Sequence, residues 1–119
     1  MKQIKFRAFD KKTKKIFPVS ALHSNGAVHI DVYPDSKAEY KNADEVELMQ
    51  FTGLHDKNGK EIYEGDICRY DNDFRFEVVF RKGSFCAPTS KNAFVIFDET
   101  QSEIIGNIYE SPELLNPNE

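Results

Sequence analysis

The segment KQIKFRAF, residues 2–9, alternates along its length, with Ile4, Phe6 and Ala8 on one side and Lys5, Arg7 and Phe9 on the other. That period of two is the pattern of a strand with one buried face. The polar run DKKTKK at 10–15 turns the chain, and KIFPV at 15–19 pairs back. Pro18, which has no N–H to give a ladder, is expected at an edge or a strand end. GAVHIDVYP, residues 26–34, predicts a further strand stopped by Pro34, and the polar DSKAEYKNADE at 35–45 reads as a loop or a short helix. In EVELMQFTGL, residues 45–54, Val46, Met49 and Phe51 fit neither periodicity cleanly, and we read the segment as a strand.

Asn58-Gly59 is the pair favoured in two-residue hairpin loops, whose central residues both need positive φ. LHDK and KEIY on either side are its expected arms. Beyond it come four apolar stretches, DICRY, FRFEVVF, AFVIF and EIIGNIY, separated by DND, RKGSFCAPTSKN and ETQS. Short strands at this spacing point to a small barrel or sandwich. In FRFEVVF, Phe74, Phe76, Val78 and Phe80 share the face assigned to the core. Glu64-Gly65-Asp66 is read as a bend, with Gly65 relaxing the backbone and Asp66 bonding a nearby amide. SPELL at 111–115 starts a short C-terminal helix, with Ser111 as N-cap and Pro112 at the first helical position.

A chain of 119 residues suits one domain with its own core, although a division near residue 55 is visible, a β unit over 1–54 meeting a small barrel over 55–119. Ten Phe and five Tyr supply aromatic bulk. The net charge of -4 conceals an asymmetry: residues 1–17 hold seven Lys or Arg against one Asp, and residues 98–119 hold six acidic residues and no basic one. The acidic overall balance argues against a dedicated nucleic-acid domain. Cys68 and Cys86, in the β-like settings DICRY and SFCAP, read as buried thiols, since their spacing fits neither a zinc ribbon nor a redox pair. The N-terminus lacks the apolar stretch of a secretion signal and no apolar run is long enough to span a bilayer, so a cytosolic location is expected.

Candidate chemistry is sparse. HDKNGKEIYE offers oxygen donors for calcium, but Gly59 is fourth from Asp56, where an EF-hand loop needs glycine sixth. Asp66, Asp71 and Asp73 are close in sequence, yet Asp-Asn-Asp is ordinary turn composition. His23, His29 and His55 stand in no local signature with either cysteine, and His29 reads as a polar-face strand residue. The six glycines are scattered rather than gathered into a phosphate loop. These readings predict no catalytic residue, no cofactor and no metal site.

Three stretches taken together carry a resemblance: KFRAFD at 5–10, LMQFTGLHDKNGKEIYEGDI at 48–67 and IIGNIYESPELL at 104–115. They resemble the YopX family of phage and prophage proteins, the long middle stretch being the specific part. Phe9 stands where Trp is commoner in that pattern, His55 where Lys is expected and Cys68 where an aliphatic is usual. The resemblance implies a mainly β, compact YopX-like fold acting in the bacterial cytoplasm, and it implies no reaction. Combined with the strand pattern, it gives an expected small β-barrel of SH3-like character in the C-terminal half, an N-terminal β unit packed with it, and a short C-terminal helix.

The function expected on this basis is that of a non-enzymatic phage accessory protein, acting through phage or host protein contacts and as a homo-oligomer. The expected seam uses Phe51, Val79, Val95 and Phe97, which fall on the second face of their strands, unless the N-terminal unit or the 111–115 helix covers that face. The alternative is a nucleic-acid-binding small-barrel protein contacting its ligand through Lys11, Lys12, Lys14 and Lys15; a metal-dependent enzyme is the third reading.

Overall fold

β1 (Phe6–Asp10) and β2 (Lys15–Leu22) form the first hairpin, joined by a four-residue turn in which Lys14 takes a positive φ of 63°. The computed structural model describes residues 4–32, 37–70, 74–81, 84–88, 94–95 and 102–115, and the chain divides into two compact units between Gln50 and Phe51. In the N-terminal unit β3 (Val28–Val32) and β4 (Lys37–Lys41) follow, and all pairings are antiparallel. β5 (Val46–His55) pairs with β1 through its first half, giving the order β4-β3-β2-β1-β5. Ala8, Phe17, Val28, Ile30 and Val46 make the buried cluster, with Val19, Val32 and Leu48 packed against it.

Several local expectations for this unit are corrected. Lys37–Lys41, read as loop or helix, is a strand with four of its five residues exposed. Its backbone pairs with β3 while four of its side chains are exposed and the buried one is Lys41, so it carries no apolar signal. Among the described residues of that segment only Ala43–Glu45 is helical, a single 3-10 turn with a capping box between Asn42 and Glu45. Pro18 lies inside β2, opposite Arg7 of β1. It is tolerated because pairing of β2 with β3 extends only to Val19, so the ladder has ended where Pro18 would have to donate.

The C-terminal unit contains the second half of β5, then β6 (Glu61–Tyr63), β7 (Asp66–Arg69), β8 (Arg75–Glu77), β9 (Val79–Arg81), β10 (Ser84–Pro88), β11 (Phe94–Val95), β12 (Glu103–Asn107) and a 3-10 turn over Pro112–Leu115. Its ladders are β12-β7-β8 and β11-β10-β9, together with the β5–β6 hairpin. Among the described residues none of these ladders closes into a barrel. Ile62, Cys68, Phe76 and Val78 are the core, with Leu54, Tyr70, Phe85 and Ile104 around it.

FRFEVVF is two strands, not one. Val78 interrupts it, because its N–H donates to the Asp66 carbonyl at 2.9 Å and its carbonyl accepts from Gly65 N–H at 2.9 Å. Phe76 and Val78 are buried as expected, whereas Phe74 and Phe80 are 38% and 48% exposed. SFCAP, read as part of a connection, is β10, paired on both sides. Gly106 admits the C-terminal turn against β12, since a Cβ there would come within 2.7 Å of Leu114 and 3.2 Å of Ser111.

The Asn58-Gly59 hairpin forms with a longer loop than expected. Asp56 and Lys60 close it, Asp56 N–H donating to the Lys60 carbonyl at 2.8 Å, and Gly59 N–H donates to the Asp56 carbonyl at 2.9 Å. Gly59 has φ 84° while Asn58 is not left-handed. This is the three-residue loop in which a tight turn precedes one left-handed residue. His23–Ala27 repeats it: His23 N–H reaches the Ala27 carbonyl at 2.9 Å, Gly26 N–H the His23 carbonyl at 3.0 Å, and Gly26 has φ 89°. Replacing Gly59 by Val should lower stability by about 1 kcal/mol or more, because a β-branched residue resists positive φ. Chemical denaturation checks this, and an unchanged midpoint would contradict the loop geometry.

Candidate functional site

In the C-terminal unit backbone amides converge on one buried carboxylate. Asp56, 5% exposed, accepts Asn58 N–H and Lys60 N–H, both at 2.9 Å, on Oδ1, and Ile104 N–H at 3.0 Å on Oδ2. Lys57 N–H adds a bond to the Ser102 carbonyl at 2.9 Å. The hairpin tip is thereby fastened to the start of β12. Burial by itself would raise the Asp56 carboxyl, but the three amides and the nearby Lys60 hold it below the usual carboxylate range.

Asp66 and Asn107 do related work. Asp66 Oδ2 accepts Tyr63 N–H at 2.7 Å across the Glu64-Gly65 turn, where Gly65 has φ 91°. Asn107 Oδ1 accepts Tyr109 N–H at 3.0 Å and Glu110 N–H at 2.9 Å, and its Nδ2 donates to Glu110 Oε1 at 2.8 Å. Each polar group is spent on turning backbone. None of the three presents an open acceptor pair in the manner of a general base.

Cys68 is fully buried between β8 and β12, and burial, reinforced by the negative charges of Asp66 and Asp56, pushes its thiol up to about 12. A thiol so placed stays protonated and is a poor nucleophile. Cys86 is also buried and unbridged. No group of three or more His, Cys, Asp or Glu able to hold a metal occurs among the described residues. No helix among them is long and apolar enough to cross a membrane.

The seam residues of the sequence reading are described only in part. Phe51 is buried, its ring 5.5 Å from that of Tyr63. Val79 is half-buried in β9. Val95 lies in β11, its side chain outside the described residues, and Phe97 lies outside them altogether. Among the described residues β9 and β11 are the two outer strands of their ladder.

In the N-terminal unit Lys11, Lys12 and Lys14 on the β1–β2 turn and Lys15 at the start of β2 are all exposed. Lys11 Nζ is partly engaged, 3.0 Å from the Asp44 carbonyl and 3.3 Å from Glu47 Oε1. Beneath the turn Asp10, 2% exposed, accepts Thr13 Oγ1–H at 2.8 Å and stands 3.5 Å from Lys41 Nζ, itself 3.2 Å from Glu39 Oε1. Burial acts to raise the Asp10 carboxyl, but its hydrogen bonds and Lys41 bring it below the ordinary range. Burial likewise acts to lower the Lys41 ammonium, and Glu39 and Asp10 raise it. His23 Nε2 lies 3.1 Å from His29 Nδ1, with both rings near Tyr40, a juxtaposition the sequence reading missed. His29 does sit on the polar face, as expected. Only the sheet register, which sets Ala21 and Tyr40 beside His29, brings His23 to it.

Fold and polar network together define a small mainly β protein of two units in which the buried Asp10, Asp56, Asp66 and Asn107 serve turns. The chain belongs to the YopX family: the model of that family, described as YopX protein, matches residues 5–116. Among solved structures, protein EF1440 from Enterococcus faecalis superposes with a TM-score of 0.74 at 29% identity, covering 97% of this chain and 99% of that one. Protein YopX from Bacillus subtilis superposes with a TM-score of 0.63 at 22% identity, again over 97% and 99% of the two chains, a likeness of fold. No curated protein matches the chain.

Asp56→Asn should cost about 2 kcal/mol of stability, the scale of hydrogen bonds to a charged acceptor. Because the Asp56 and Asp10 carboxyls lie below their unfolded values, their contribution is complete above the unfolded value of about 4 and is lost as the pH falls through the folded ones. Urea titrations from pH 7 to pH 2 should show stability falling in acid, less steeply for Asp56→Asn. Alkylation at pH 8 should leave Cys68 unmodified in the native chain and modify it readily in denaturant. Rapid native labelling of Cys68 would contradict its burial.

Proposed function

We propose that this chain is a non-enzymatic accessory protein of a phage or prophage, working in the bacterial cytoplasm through protein contacts and as a homo-oligomer. The observation that carries the reading is the outer strand β9, where Phe80 is 48% exposed with its ring 4.9 Å from that of Phe85. An outer strand carrying an exposed aromatic either aggregates or pairs in a defined way, and a second copy is the partner that leaves the protein in solution. The absence of enzymatic activity is supported by the engagement of Asp56, Asp66 and Asn107 in turns and by the protonated Cys68 thiol. The phage setting is supported by membership of the YopX family. The barrel character expected of the C-terminal half belongs to this proposal, as a description of how its short ladders are arranged.

Size exclusion with light scattering at micromolar concentration tests the reading. A discrete multiple of 13.7 kDa is expected, reverting toward 13.7 kDa in Phe80→Ser. A mass of 13.7 kDa at every concentration would end the oligomer proposal.

A second reading, nucleic-acid binding, is favoured by the four exposed lysines at the β1–β2 turn and the start of β2. Such binding is electrostatic, so it should be weak and fall steeply with added salt. Replacing Lys12, Lys14 and Lys15 by Gln should abolish it, while Lys11→Gln has a smaller effect because Glu47 already engages that ammonium. Affinity for a single-stranded oligonucleotide that survives either high salt or the triple replacement would exclude this route.

A further inference from the structure

His23 and His29 are brought together by β-sheet register and by a hairpin. Val28 and Ile30 point into the core of the N-terminal unit, so the alternation of β3 turns His29 outward. Ala21 of β2 and Tyr40 of β4 are its cross-strand partners. His23 lies two residues beyond Ala21 and so falls on the same face. Its position is fixed by two backbone hydrogen bonds across the Ser24-Asn25-Gly26 loop and by Asn25 Oδ1, which accepts Ala27 N–H at 3.0 Å. Two imidazole nitrogens, His23 Nε2 and His29 Nδ1, thus stand 3.1 Å apart on rings 5.0 Å between centroids, with His23 in water and His29 half-buried.

That separation has a second chemical meaning besides one imidazole donating to the other. Nitrogens bound at ~2.0 Å to a common metal ion lie about 2.8 Å apart at a right angle and about 3.3 Å apart at the tetrahedral angle. The observed 3.1 Å falls between the two. We propose that His23 and His29 are a two-nitrogen chelating site for a late first-row divalent cation. Two imidazoles select copper, nickel or zinc over the oxygen-preferring magnesium and calcium, and the Irving–Williams order puts copper(II) first. The strand backbone carries His29 and the closed loop carries His23, so little backbone freedom is lost on binding. The Tyr40 ring, with its centroid 5.9 Å from that of His23 and 5.4 Å from that of His29, walls one side, and the remaining coordination positions are filled by water. The site is independent of the oligomer reading and uses none of the residues on which that reading rests.

The test is calorimetric titration of the chelator-treated full chain with copper(II), nickel(II) and zinc(II), together with electron paramagnetic resonance of the copper(II) form. One saturable copper(II) site per chain is expected, with hyperfine structure from two equatorial nitrogens and weaker binding of nickel and zinc. Loss of a partner that merely supports a ligand costs 10–100-fold in affinity, so His23→Ala and His29→Ala should each weaken binding by at least about tenfold. His55→Ala, on a different strand, should bind as the parent does. Circular dichroism melts without metal separate lost ligation from lost folding, since His23 is exposed and contributes no core contact. Failure to saturate by about 1 mM, a potency unchanged in both His23→Ala and His29→Ala, or an equal loss in His55→Ala would overturn the proposal.

Discussion

The C-terminal unit is organised around the carboxylate of Asp56, a charge taken out of water and repaid by three backbone amides. Two of those amides belong to the loop that Asp56 itself closes, and the third, Ile104, is 48 residues away. Local bonds alone would make an ordinary turn. The bond to Ile104, with that from Lys57 to the Ser102 carbonyl, makes the same turn a fastening for β12, whose other side pairs with β7. Buried amides need acceptors, and an ionised acceptor is the strongest available. Removal of the carboxylate therefore disturbs a loop and a strand entry together.

The N-terminal unit uses a related device. Asp10 ends β1 as Asp56 precedes its loop, and in each case the carboxylate collects donors from the turn that follows while a left-handed residue, Lys14 or Gly59, closes it. The balance differs in kind. Asp56 is held by uncharged amides, whereas Asp10 shares its site with the buried Lys41 ammonium, which Glu39 also approaches. A buried pair of this type is weak evidence for stability, because desolvation of both ions opposes their attraction. It does disfavour other registers of β4, since a slip of one residue would turn Lys41 away from Asp10.

Asp56 and Asp10 are engaged in this way and the buried Ser102 Oγ has no hydrogen-bond partner among the described residues; the proposals for function rest on the surfaces. They carry three distinct features: an outer strand with an exposed phenylalanine, four lysines at a turn and the strand start after it, and a sheet face with two histidines in contact. Each is the basis of a different proposal made above, for a protein edge, a polyanion and a transition metal. The β4 edge offers less, because its exposed side chains include Lys37 and Glu39, and charges on an edge discourage strand addition.

The sequence by itself determined what is local or periodic: β1, β3, β7 and β12, the turns at Asn58-Gly59 and Glu64-Gly65, the bond from Asp66 to a nearby amide, and the burial of both cysteines; β5, whose pattern fitted neither period, was established as a strand by its pairing with β1. The long middle stretch also carried the family. Tertiary structure decided the rest. β4 was invisible because an exposed edge strand needs only backbone partners, and FRFEVVF was divided because Val78 bonds to a turn reached through a different strand. The 3-10 form of the last turn depends on its closure against the Ser111 carbonyl, and Gly106 makes room for it. The polar pattern around Asp56 announced a turn but not its fastening to Ile104, and no spacing rule places His23 beside His29. Such contacts follow from register and from chain segments that meet only after folding, whereas a periodic pattern reports only which face of its own segment is buried.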